Sequence, residues 1–150
     1  MNITKWLFCF VVLFGVCFSG CTFNSLQGDT PPNVSIDIAG KSYPAKLGTY
    51  CWQERCVDTS GPIDMLKDSE TIKVEPGQTI KFMMDFEPPP TTIELSIFTE
   101  NEEEVSIELQ DVYFSAPTQK GIYYYSYSLT WRKDELSIGD AHYAFALEVD

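Results

Sequence analysis

From residue 33 onward, apolar and polar residues alternate with a period of two. That pattern restricts the chain to strands half buried in a sheet. Val34, Ile36 and Ile38 alternate with Ser35 and Asp37. Ile80, Phe82, Met84 and Phe86 fall on one side of another strand, with Thr79, Lys81, Met83 and Asp85 opposite. Ile93, Leu95 and Ile97 lead into the acidic stretch Glu100–Glu104, and Val105, Ile107 and Leu109 return from it, which is the clearest hairpin in the chain. The longest strand, Ile122 to Trp131, puts Tyr123, Tyr125, Tyr127, Leu129 and Trp131 on one face. The last gathers Tyr143, Phe145, Leu147 and Val149.

Turn residues separate these runs. Gly40-Lys41 is a tight turn into a strand from Ser42 to Trp52, and Pro76-Gly77 follows a short strand at Ile72 to Val74. Pro88-Pro89-Pro90 must end its strand, because proline cannot donate to a sheet ladder. Val112 to Phe114 adds a short strand, closed by Ala116-Pro117. A single segment predicts a helix: Ser60-Gly61-Pro62-Ile63-Asp64-Met65-Leu66-Lys67 offers a capping serine, an early proline and an early aspartate. About eight short strands with such punctuation indicate an antiparallel sandwich or barrel. The stretch Lys120-Gly121-Ile122-Tyr123-Tyr124-Tyr125-Ser126-Tyr127 resembles the penultimate strand of immunoglobulin-like domains, where a Gly-x-Tyr opening forms a tyrosine corner. The expected fold is therefore an all-β, antiparallel immunoglobulin-like β-sandwich with one short helix, preceded by a signal peptide and a tether.

The first 20 residues follow another logic. One cation, Lys5, precedes an apolar run from Trp6 to Phe18, and the small pair Ser19-Gly20 ends it. This is the three-part layout of a secretory signal peptide. The run is about 13 residues, short of the roughly 20 that span a bilayer core. Phe18-Ser19-Gly20-Cys21 resembles the lipobox of bacterial lipoproteins. That resemblance implies a diacylglyceryl thioether on Cys21 and a bacterial protein anchored on the extracytoplasmic face of the cell membrane. Two acyl chains suffice for stable attachment, where one is marginal. The boundaries expected on this basis are a lipoprotein signal peptide over 1–20, a lipidated cysteine and flexible tether over 21–33, and the β-sandwich domain over 34–150. A flexible tether of that length has an r.m.s. span of roughly 20 Å.

The chain carries 10 basic and 22 acidic residues, a formal charge of −12. Lys5 is the one charged residue in the first 20, so cleavage leaves −13. That charge argues against nucleic acid and against electrostatic docking on anionic lipid or wall polymer. Of five cysteines, Cys9 and Cys17 leave with the signal peptide and Cys21 takes the lipid. Cys51 and Cys56 remain, and an exported pair with no other partner is expected to form one disulfide. Two cysteines do not fill a zinc site, and the spacing is not the Cys-x-x-Cys of redox proteins.

The blocks Gly48-Thr49-Tyr50-Cys51-Trp52, Cys56-Val57-Asp58, Pro76-Gly77, Ala116-Pro117 with Gly121-Ile122-Tyr123, and Gly139-Asp140-Ala141-His142-Tyr143-Ala144-Phe145 resemble those of uncharacterised small lipoproteins from low-GC Gram-positive bacteria. The resemblance implies lipidation, the disulfide and a β-sandwich. It implies no activity and assigns no functional residue.

The side chains that could carry chemistry are few. His142 is the one histidine and Asp140 lies close by, but no Gly-x-Ser-x-Gly elbow accompanies them. The Glu100–Glu104 run lacks the ligand spacing and the glycine of a calcium loop, and is better suited to a solvated hairpin tip. Trp52 is either an exposed aromatic anchor or a cap on the core. Tyr124, opposite the Tyr123, Tyr125 and Tyr127 stripe, is the better-placed tyrosine for surface contact. The candidate residues are thus Cys21 for lipidation, Cys51 and Cys56 for the disulfide, and Trp52 and Tyr124 for a binding surface. No catalytic residue, metal ligand or cofactor is assigned. The expected function is a non-enzymatic interaction domain that meets an envelope protein or extracellular ligand, the alternative being a small-ligand-binding lipoprotein accessory to a transporter or envelope process.

Overall fold

The structure, a computed structural model, describes residues 26–98 and 103–150. Cys21 and Glu100 to Glu102 lie outside the described residues. In chain order the elements are β1 (Val34–Ile38), β2 (Lys41–Pro44), β3 (Lys46–Trp52), β4 (Arg55–Val57), α1 (Pro62–Leu66), β5 (Ile72–Val74), β6 (Thr79–Met84), β7 (Thr92–Phe98), β8 (Glu104–Ile107), β9 (Tyr113–Ser115), β10 (Gly121–Lys133) and β11 (Leu136–Val149). They form the expected immunoglobulin-like sandwich. The smaller sheet has the order β2-β1-β6-β9, and the larger β4-β3-β11-β10-β7-β8. All pairings are antiparallel except that of β5, which runs parallel to the end of β11.

The alternating residues fill the space between the sheets. Ile36, Ile80 and Phe82 of the smaller sheet face Leu95, Tyr127, Leu129, Phe145 and Leu147 of the larger, all buried. Aromatic rings supply much of this contact. Phe82 stacks on Tyr127 with centroids 3.7 Å apart, and Tyr125 on Phe145 at 4.8 Å. At one end Trp52 meets Trp131 edge to face at 5.0 Å, and Phe86 packs against both. Such pairs add about 0.5–1.5 kcal/mol each beyond the area they bury.

Several details refine the sequence-level expectations. The run from residue 42 to 52 is two strands in different sheets. Pro44, opposite Ser35, ends β2 and has no N–H to give the ladder, and the chain crosses to the larger sheet after Ala45, whose N–H still donates to the Val34 carbonyl at 3.0 Å. The β1–β2 turn sits at Ala39-Gly40, one residue earlier than expected, and both residues have positive φ (52° and 84°). That geometry matches the right-handed strand twist in a two-residue hairpin, and Asp37 Oδ1 accepts the Gly40 N–H at 3.2 Å. The helix is capped by Gly61 with no side-chain bond, not by Ser60. The tyrosine corner is present: Tyr123 OH donates to the Gln119 carbonyl at 2.9 Å. Cys51 and Cys56 face each other across β3 and β4 and form the expected disulfide. Its short loop gives a chain-entropy contribution of about 2 kcal/mol.

Residues 26–33 depart from the expected free tether and lie on the domain. Leu26 is buried, and its carbonyl accepts the Gln53 side-chain N–H at 3.0 Å. The Gly28 carbonyl accepts the Trp52 indole N–H at 3.0 Å and Gln53 Nε2 at 2.8 Å. Tyr143 OH donates to the Pro32 carbonyl at 2.5 Å. Gly139 makes this docking sterically possible, since a Cβ there would collide with Leu26 Cδ1 and press on the Trp52 ring.

Candidate functional site

Among the described residues, two concavities outside the core stand out. The first is on the outer face of the larger sheet. Tight hairpin pairing begins with Lys133 opposite Leu136 and Arg132 opposite Ser137, and then Ile138 is an extra residue, so Trp131 pairs with Gly139. This bulge shifts every later pair by one position. Without it Ser128 would face Ala141. With it Ser128 faces His142, and Ser128 Oγ lies 2.7 Å from His142 Nδ1. A second irregularity, in β3, leaves Gly48 and Thr49 opposite the same histidine.

Thr49 then fastens the loop that leads to α1. Its hydroxyl lies 3.2 Å from Asp58 Oδ1 and accepts the Thr59 N–H at 3.1 Å. Lys46 Nζ donates to the Met65 carbonyl at 2.7 Å. Leu66 packs on Ala144 and Ala146, with Met65 and Tyr124 beside them, so α1 covers part of the outer face. What remains open is a groove of about 270 Å³ lined by Thr49, Thr59, Met65, Ser126 and His142 among others.

Chemically, this groove offers hydroxyls and one imidazole. A Ser–His pair contains a nucleophile and a base, but a triad also needs an acid on the other ring nitrogen. Asp140, on the same face of β11, makes no hydrogen bond or ion pair with His142. Among the described residues no group of three His, Cys, Asp or Glu side chains could hold a metal.

The second concavity is at the end of the sandwich where residue 26 docks. The β3–β4 turn, the β10–β11 turn and Leu26 enclose about 780 Å³, lined by Gln53, Lys133, Leu136, Ile138 and the disulfide residue Cys51. Leu136 is 74% exposed, the highest value among the exposed large hydrophobic residues.

The residues singled out from sequence fare unequally. Trp52 is fully buried and therefore not a surface anchor: its indole fits between Trp131, Phe86 and the docked residues 26–28. Tyr124 is on the outer face as expected, half covered by α1. The tyrosines Tyr125 and Tyr127 belong to the inner face. Sequence reading missed Ser128 as the partner of His142 and missed both concavities. The Ser126-x-Ser128 alternation with tyrosines marks the outer face, but the bulge that selects the partner has no clear sequence signal.

No family model, curated protein or solved structure matches the chain.

Proposed function

We propose that this protein is an extracytoplasmic lipoprotein, anchored through Cys21, whose sandwich is a non-enzymatic module that binds an extended segment of an envelope protein. The anchoring reading is supported by Lys5, the apolar run and Phe18-Ser19-Gly20-Cys21. The binding reading is carried by one observation: β8 ends the larger sheet with no further strand beside it among the described residues. An unpaired edge offers backbone donors and acceptors to an incoming strand. Val105, paired with Ile97, is half exposed there, while Glu104, Ser106 and Glu108 alternate with the apolar positions. The partner that fits is a strand with apolar residues alternating with lysine or arginine. The groove at His142, at about 270 Å³, is smaller than most small-molecule sites.

Titration with a peptide of alternating valine and lysine, read by amide hydrogen exchange, tests this. Protection is expected to rise at residues 104–107, with affinity falling at high salt and roughly tenfold or more in Val105→Glu. Binding without protection of β8, or no binding at low salt, would overturn the proposal. The second reading, a small-ligand-binding lipoprotein accessory to a transporter or envelope process, draws on the end concavity, whose volume lies within the range of small-molecule sites.

A further inference from the structure

The chain enters the domain at a fixed place. Leu26 is buried, and the Leu26 and Gly28 carbonyls are both held by hydrogen bonds, so residue 26 is fixed on the domain. Four residues, Thr22 to Ser25, separate it from Cys21. Fully extended, they let Leu26 stand at most about 18 Å from the Cys21 Cα. The sandwich is much longer than this, since β10, with 13 residues, measures about 40 Å. A lipid on Cys21 would therefore hold the Leu26 end close to the bilayer.

That end differs from the rest of the surface. Leu136 projects from the tip of the β10–β11 hairpin, 74% exposed, beside Leu26 and Ile138. Its ladder partner is Lys133. Both arginines of the chain, Arg55 and Arg132, are also here and exposed, interspersed with Glu54, Asp134 and Glu135. An apolar side chain flanked by long cationic ones suits a membrane interface, where the cationic heads reach back to the phosphates. The end of β7 and the start of β8 are at the opposite end: Phe98 and Glu104 pair with each other, and Phe98 also pairs with Tyr124 near the start of β10.

We propose that the Leu26 end of the sandwich is apposed to the lipid bilayer, with Leu136 seated in the interface. This rests on the reading that Cys21 carries the lipid. It makes the end concavity a membrane-facing feature and directs the start of β8 away from the bilayer.

The test uses the lipidated protein in vesicles of mixed zwitterionic and anionic phospholipid. Cys51 and Cys56 are joined and Cys21 carries the lipid, so a thiol introduced elsewhere is unique. Leu136→Cys, Ile122→Cys and Met83→Cys replace exposed side chains at the near end, the far end and the outer face of the smaller sheet. Each takes an environment-sensitive fluorophore, quenched by nitroxide-labelled lipid. Quenching several-fold stronger at 136 than at 122 or 83 is expected. Equal quenching at all three, or strongest quenching at 83 or 122, would overturn the orientation while leaving the anchor intact. Protein that fails to float with the vesicles would instead overturn the anchoring reading, and the orientation with it.

Discussion

The two faces of β10 and β11 share one backbone and one hydrogen-bond ladder, yet they do different work. Inward, Tyr125, Tyr127, Leu129 and Trp131 meet Tyr143, Phe145 and Leu147 in a buried, largely aromatic core. Outward, Ser126, Ser128, Asp140 and His142 stand on a half-covered surface, and one short hydrogen bond joins Ser128 to His142. The inner face holds the fold through area and ring contacts. The outer face adds modest polar terms and leaves a groove open. Side-chain direction in a strand alternates strictly, so one ladder can serve both purposes.

The largest expected effect lies inside. Trp131→Ala removes a buried indole, its edge-to-face contacts with Trp52 and Phe86, and its N–H bond to the Pro88 carbonyl at 2.8 Å. A loss of about 3–5 kcal/mol is expected in chemical denaturation. A loss below 1 kcal/mol would mean that the inner face does not dominate stability.

Alkaline pH probes the same face without mutation. Burial pushes the Tyr127 hydroxyl up to about 12, with the Asp111 carboxylate adding to the rise. Burial likewise raises Tyr125 and Tyr143. An unfolded tyrosine ionises near 10, so above that pH the unfolded state loses protons that the folded state keeps. Stability should therefore be fully present below about pH 10 and fall as pH rises towards 12. Ionisation of Tyr125, Tyr127 and Tyr143, followed by NMR of their ring carbons, should appear together with unfolding, and ionisation of these three in a still-folded protein would sink the argument.

The smallest effect belongs to the outer face. Ser128→Ala removes the bond to His142 from a half-exposed position, and about 1 kcal/mol or less of stability should be lost in thermal melts. If Ser128→Ala matched Trp131→Ala, the contrast between the faces would fail.

Much of the fold was legible because alternation and turn residues are local signals. The inner-face set Tyr123 to Trp131 and the β7–β8 hairpin follow from spacing, and the Tyr123 corner from the resemblance of residues 120–127 to the penultimate strand of immunoglobulin-like domains. The extra strand β4, the crossing after Ala45 and the cap at Gly61 were less legible. They depend on which neighbour a short segment finds. The candidate sites were least legible, and Trp52 shows why. Its alternation with Tyr50 favours a core position, but what covers its other edge is the backbone of residues 26–28, brought from more than 20 residues away.

The sequence by itself determined the strand periodicity, the cysteine pair available for a disulfide, the acidity of the chain and the signal-like character of residues 1–20, because each is a property of neighbours along the chain. The tertiary structure alone decided that Ser128 meets His142, that residue 26 is anchored over Gly139, that Trp52 is inside and that β8 is an edge strand among the described residues. Those outcomes turn on register and on close approach between distant segments. A single bulged residue at Ile138 sets the Ser128–His142 pairing and a missing Cβ at Gly139 admits Leu26 beside Trp52, and neither leaves a periodic trace for the sequence to display.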